Sequence, residues 1–436
     1  MNSRFGLMLD ADIIYYNIEW CRRIAQAGLT PSDNKEKQML QDQTPSRVKK
    51  AFEAMSPVYE FLGKYGTWTA GNSDDSCDFA LGNPHEIPLP DFVKALEKAL
   101  TPQDKDWFAY KINEPPAVNT VATSLRQQFN RPYDPADIFM TNGATGGLHV
   151  VFNTVVDHGD EVIFISPPWF FYEGMILNSG GVPVRVKMDP NSFDLDLDAI
   201  SAAISEKTAL IIVNSPNNPT GKIYPLDTLR DLAAILTEAS KRYGRPIYLL
   251  SDEAYRRIVY DGRTYPSPTS YYPDSFMVYT YGKTLLTPGQ RLGYIALSPE
   301  MEEREQMRTT VFSSQILSGF ASSNALLQHA MADLQPLSID VEHLQHKRDW
   351  LVSALQDVGY DVHSPEGTFY LLPRSPLDDD VAFTDLLAEE QVLCLPGQVV
   401  EMPGYFRISL TANDEMIERA IPKFASVRHR AIKTGG

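Results

Sequence analysis

Short runs of apolar residues, set apart by longer stretches with a single apolar face, fill the middle of the chain. Residues 137–141 read as a strand ending on Asn142-Gly143, residues 144–156 as a helix, and residues 161–166 as a strand with no polar face. The same texture returns at 208–215, 246–252, 276–281 and 291–298, and the clearest helix between them, 225–243, stops before Gly244. Strands that are apolar throughout are buried on both faces, and their alternation with helices predicts βαβ units in a mostly parallel sheet. Such α/β sheets bind ligands beyond the carboxyl ends of their strands. The polar clusters that follow each predicted strand are therefore the candidates for chemistry.

After residue 315 the texture changes. A long helical stretch runs to residue 355, followed by short strands at 367–372 and 405–410 and a helix near 415–424. This predicts a second, smaller α+β domain formed by residues 44–90 and 326–436, beside a large domain at 91–325. Residues 1–43 form an N-terminal extension. There Ile14, Ile18, Cys21 and Ile24 share one helical face ahead of the polar stretch 30–43. That face suits either a helix packed on its own core or an arm laid over a neighbour.

Composition narrows the possibilities. A net charge of -17 over 436 residues argues against an extended phosphate-binding surface and hence against nucleic acid as a partner. The three cysteines, Cys21, Cys77 and Cys394, are widely spaced and show no metal-ligand pattern, which fits a reducing compartment. No apolar run approaches the roughly 20 residues that span a bilayer. The first residues meet Asp10 and Asp12 in place of an apolar signal region. A cytoplasmic protein without a membrane partner or a metal site is expected.

Three polar clusters stand after predicted strands. Asn217-Asn218-Pro219-Thr220-Gly221 forces a sharp turn. Ser251-Asp252-Glu253-Ala254-Tyr255 puts acids at the end of an apolar strand, where a carboxylate is costly without a partner. Thr280-Tyr281-Gly282-Lys283 is followed by Gly289, Arg291 and Gly293. Together with Gly143-Ala144-Thr145 upstream and Tyr405-Phe406-Arg407-Ile408-Ser409 downstream, these landmarks occur in the order found in the class I/II aminotransferases of pyridoxal-phosphate fold type I. The chain resembles that family from about residue 44 to its end, and the opening Pro45-Ser46-Arg47-Val48 resembles the start of the family's catalytic core.

The resemblance implies a cofactor, pyridoxal 5'-phosphate, and a task for each residue. Lys283 would hold it as a Schiff base and later shuttle the substrate Cα proton. Asp252 would face the pyridine nitrogen and keep it protonated, making the ring an electron sink. Asn218 and Tyr255 would donate to the ring 3'-oxygen. Ala144 and Thr145, at a helix start, would meet the phosphate with backbone N–H groups, helped by Arg291 and Thr280. Gly282 stands where the family often carries a serine or threonine. Trp169 matches the aromatic residue that stacks on the ring. Arg407 would clamp the substrate α-carboxylate, with Gly82 and Asn218 beside it. Tyr110 matches a residue that reaches the cofactor phosphate of a neighbouring subunit, which implies a homodimer, and the loop 367–370 resembles one that lines the active site.

The implied activity is transfer of an amino group from an α-amino acid to a 2-oxo acid. The same constellation also serves β-lyases, decarboxylases and oxygen-using oxidases, because all of them need a stabilised carbanion. A regulator that joins such a domain to a DNA reader would need a basic recognition helix, and the acidic chain shows none. Among Arg256, Arg257 and Arg308 no residue matches a second arginine for a side-chain carboxylate, so aspartate specificity is not supported. Val400 stands where the family often has phenylalanine.

Overall fold

In the computed structural model residues 45–71, 73–320 and 322–435 are described, so the amphipathic stretch at 14–24 lies outside them. In chain order the strands are β1 (Cys77–Asp78), β2 (Ile138–Thr141), β3 (Glu161–Ser166), β4 (Val182–Lys187), β5 (Thr208–Asn214), β6 (Tyr248–Asp252), β7 (Ser275–Thr280), β8 (Gly293–Leu297), β9 (Tyr370–Leu371), β10 (Val392–Leu393), β11 (Leu395–Pro396) and β12 (Phe406–Ser409). Seven of them form one sheet in the order β2-β8-β7-β6-β5-β3-β4. Its pairs are parallel except those of β8, which runs antiparallel to both β2 and β7. This is the α/β fold with a mostly parallel sheet that the sequence predicted.

Both faces of the sheet are covered, as its doubly apolar strands require. Alternate residues point to opposite faces. Leu249 of β6 packs with the helix Leu226–Tyr243, whereas Leu250 packs on the other side with Leu148 and Phe152 of the helix Gly143–Val155. The helix Pro115–Phe129 covers the β2-β8-β7 end through Val121 and Leu125, against Met140, Met277 and Tyr279. Strand β4 escaped the pattern-based prediction. It lies at the sheet edge, its burial is incomplete, and it contains Pro183, which an edge strand tolerates.

The second body is built from both flanks of the chain. β1 pairs in parallel with β10, and β11-β12-β9 form a small antiparallel sheet. Phe79 shares one core with Phe383, Phe406 and Phe424, so residues from the two flanks pack together. Two expectations change in detail. The helical stretch after 315 is divided into Arg304–Leu317, Ala325–His329, Met331–Leu334 and Val341–Asp357, because Gly319 takes a positive φ of 73° and Pro336 cannot continue a helix. The last helix reaches from Asp414 to Gly435, since Val427 and Ala431 prolong its apolar face into the same core.

Candidate active site

The carboxyl ends of β5, β6 and β7 lie side by side and open onto a cavity of about 200 Å³ between the large sheet and the flanking body. Asn214 closes β5. Its side-chain amide donates to the Asp252 carbonyl at 3.0 Å, and its oxygen accepts from the Asn218 N–H at 2.8 Å, which fixes the turn. Thr280 closes β7 and caps the four-residue helical turn Tyr281–Thr284 through the Gly282 N–H, and that turn carries Lys283. Of the residues singled out in the sequence, Gly82, Ala144, Thr145, Trp169, Asn218, Asp252, Tyr255, Thr280, Lys283, Arg291 and Arg407 all line this one cavity. Tyr110 does not. It is fully exposed on the surface, so within its own chain it is neither a core residue nor part of the site.

Asp252 is buried, and burial pushes its carboxyl above the ordinary range. The Tyr172 hydroxyl, the Ala254 N–H and the charge of Lys283 work against that rise. Tyr172 donates to Oδ2 at 2.5 Å, and the Ala254 N–H approaches Oδ1 at 3.2 Å. Sequence reasoning missed Tyr172. It closes the aromatic run that begins at Trp169, whose ring meets the Tyr172 ring edge-on at 5.4 Å. Burial and the nearby Asp252 hold the Tyr172 phenol neutral, and therefore a donor.

At one end of the cavity sits an anion cradle. The helix Gly143–Val155 starts there with Ala144 and Thr145, so free N–H groups and the positive helix end face inward. Arg291 adopts a left-handed backbone at φ 55° and donates to the Pro288 carbonyl at 2.9 Å and the Thr145 hydroxyl at 3.4 Å. Burial lowers its pKa, as expected of a cation held short of counter-charge. A side chain at Gly143 would put its Cβ 2.8 Å from the Arg291 guanidinium. Gly282 has a steric reason too, because a Cβ there would lie 2.9 Å from Pro288. The Thr280 hydroxyl donates to the Leu292 carbonyl at 3.2 Å.

The opposite end is built around Arg407 of β12. Its guanidinium is buried and donates to Asn218 Oδ1 at 3.0 Å and the Ala80 carbonyl at 3.1 Å, while Nε has no protein partner. Its carbon lies 4.0 Å over the Tyr370 ring. The Tyr255 hydroxyl donates to the Tyr370 hydroxyl at 3.3 Å. Lys283 Nζ stands between the two ends, 5.7 Å from the Tyr255 ring centre and 5.5 Å from that of Phe369. Gly82 is required by close approach, since a Cβ would come within 2.6 Å of the Tyr370 hydroxyl. The other arginines are committed elsewhere. Arg256 is buried against Tyr279, Arg257 donates to the carbonyls of Gln335 and Leu337, and Arg308 pairs with Asp137.

Over residues 75–424 the sequence matches the family described as Aminotransferase class I and II. The chain belongs to this family. Among its curated relatives, a probable aspartate/prephenate aminotransferase from Aquifex aeolicus is 31% identical over 367 residues, covering 80% of this chain and 89% of that protein. The aspartate/prephenate aminotransferase of Thermus thermophilus is 30% identical, covering 80% of this chain and 90% of its own. A solved amino transferase from Eubacterium rectale superposes with a TM-score of 0.78 at 28% identity, covering 92% of this chain and 99% of that one.

Members of the class I and II aminotransferases depend on pyridoxal 5'-phosphate, and the residues here fit that group. The Arg291 cradle suits a phosphate dianion. The buried carboxylate of Asp252 suits a protonated ring nitrogen, and Lys283 suits an aldehyde. Arg407 lines the same cavity and suits an incoming carboxylate. Among the described residues no helix is long and apolar enough to cross a membrane.

Proposed function

We propose that this aminotransferase works through Lys283, Asp252, Tyr255 and Arg407, and that it prefers amino acids whose side chains carry no second carboxylate. The observation that carries the reading is the convergence of three cations with distinct tasks in one cavity: Lys283, Arg291 at the helix start, and Arg407. When bound, pyridoxal phosphate supplies an electron-withdrawing ring that makes the Cα–H bond of an attached amino acid acidic. Arg407 binds the α-carboxylate through parallel N–H donors and so fixes the orientation of Cα. Lys283 Nζ would hold the cofactor aldehyde at rest and, once freed by the incoming amino acid, would serve as the base that takes the substrate Cα proton. Asp252, held by Tyr172, keeps the proton on the ring nitrogen. Asn218 turns its oxygen to Arg407, leaving its amide NH₂ to serve the cofactor together with the Tyr255 hydroxyl.

The side-chain preference has its own support. Leu81, Leu148, Trp169, Phe170 and Tyr370 line the cavity, and the three cations above are the basic residues among the described residues lining it. The relatives named for aspartate and prephenate would differ from this chain in that respect. A spectral screen tests both points. An accepted amino acid alone bleaches the cofactor absorbance and releases one equivalent of 2-oxo acid, and a second 2-oxo acid restores the spectrum. Continuous ammonia or carbon dioxide release without that cycle would overturn the transaminase reading in favour of an oxidase, lyase or decarboxylase. Aspartate outperforming every uncharged amino acid would overturn the preference.

Assembly into a homodimer belongs to the same reading. Phe108, Tyr110, Ile316, Leu317 and Phe320 are exposed, and Asn142, next to the cradle, donates to the Phe320 carbonyl at 3.2 Å. A second copy seated on this apolar face would bring its Tyr110 towards the phosphate of its neighbour. Light scattering that finds a fully active monomer would refute this. The buried free thiols of Cys77 and Cys394 support a cytoplasmic location.

A further inference from the structure

Tyr370 lies in the loop that the family resemblance leaves without a task, yet it touches two working groups at once. Its ring face lies 4.0 Å beneath the Arg407 guanidinium, and its hydroxyl accepts from Tyr255 at 3.3 Å. Its backbone is fixed by pairing with Ser409 of β12, two residues beyond Arg407, and its N–H donates to the Thr368 hydroxyl at 3.1 Å. Phe369 meets the ring at 4.9 Å and Tyr255 meets it edge-on at 5.8 Å, while Gly82 backs the hydroxyl. The side chain therefore has little room to turn.

We propose that Tyr370 is a positioning residue whose ring orients Arg407 for the substrate α-carboxylate. Asn218 and Ala80 take one hydrogen from each terminal nitrogen, which leaves the guanidinium free to tilt about the line joining them. An aromatic face in contact removes that tilt and fixes the plane in which the remaining N–H groups point, as a bidentate carboxylate clamp requires. The Tyr370 hydroxyl helps to hold the ring in place, since it accepts the hydrogen of Tyr255 at 3.3 Å.

This inference rests on the role given above to Arg407, so R407K belongs in the same panel. The holoenzyme is assayed with the amino acid that bleaches the cofactor most strongly in the spectral screen. Y370F keeps the ring and is expected to leave KM within about twofold. Y370L loses the aromatic face and is expected to raise KM roughly tenfold. Should Y370L not fold, Y370M fills a similar volume without an aromatic face. An unchanged KM in Y370L or Y370M, or an equal rise in Y370F, would overturn the proposal. If R407K leaves KM unchanged, the underlying assignment of Arg407 fails instead.

Discussion

Two acidic side chains stand next to each other at the carboxyl end of β6, both buried, facing different surroundings. Asp252 faces the cavity, with one oxygen held by Tyr172 and the other by a backbone N–H. Glu253 is enclosed by protein. It accepts from Ser251 and Ser267, and its second oxygen lies 3.7 Å from Arg256, whose guanidinium packs 4.6 Å from the Tyr279 ring and 5.7 Å from that of Tyr294. Burial raises the pKa of both acids, so a perturbed carboxylate does not by itself mark chemistry. What separates them is closure. Glu253 is enclosed by two serines, the Arg256 cation and the rings around it, whereas Asp252 has a side open to the cavity.

The largest effect tests the open side. Lys283→Ala is expected to lower turnover on the order of 10⁴-fold, because the base is lost, while the phosphate cradle still retains cofactor. Borohydride reduction of the wild-type enzyme followed by peptide mapping should find the cofactor on Lys283, and a label on another lysine would defeat the assignment. Asp252→Asn keeps the volume but removes the charge. Turnover should then fall roughly 10²- to 10³-fold with little change in melting temperature. Near-normal turnover in that variant would mean that another group holds the ring proton.

On the closed side the prediction reverses. Arg256→Met leaves Glu253 buried without its cation and should cost about 3–5 kcal/mol of stability, while kcat per folded molecule stays within about twofold. Denaturant melts paired with active-site titration decide it, and a large kcat loss in fully folded protein would erase the distinction. The smallest effect belongs to Tyr172→Phe. Its hydroxyl stabilises the ionised form of Asp252, so its removal lets burial raise the carboxyl pKa further, against Lys283 and the Ala254 N–H. The acid limb of the kcat profile should therefore move to higher pH, and an unmoved limb would show that Tyr172 is only packing.

The sheet and the site were not equally legible. β3, β5, β6 and β7 could be read because they are buried on both faces and interrupted by turn chemistry, while the half-exposed edge strand β4 left no such run. The residues on loops after strands were found because ordered motifs carried them, among them Asn218, Asp252, Lys283 and Arg291. Tyr172 and Tyr370 were not assigned, for a different reason. Each sits in an aromatic stretch where several rings are chemically alike, and only the phase of the helix from Tyr172 or the register of β9 against β12 decides which ring meets Asp252 or Arg407. Conversely, the glycines at 82 and 282 answer to close packing against Tyr370 and Pro288, which no local pattern encodes.

The division of the small body between the chain's flanks bears on how the enzyme is made. The seven-stranded sheet is complete once β8 has emerged, and with it the phosphate cradle and Lys283. Arg407 comes later in the chain, and one of its acceptors, Ala80, belongs to the early flank. Since domains tend to fold as units in the order of synthesis, the newborn chain acquires its grip on the cofactor before its grip on the amino acid. Chains stalled on the ribosome soon after β8 should then gain protease resistance over 138–297 when pyridoxal phosphate is added. Resistance that appears only after Arg407 has been made would show that the two halves are born together.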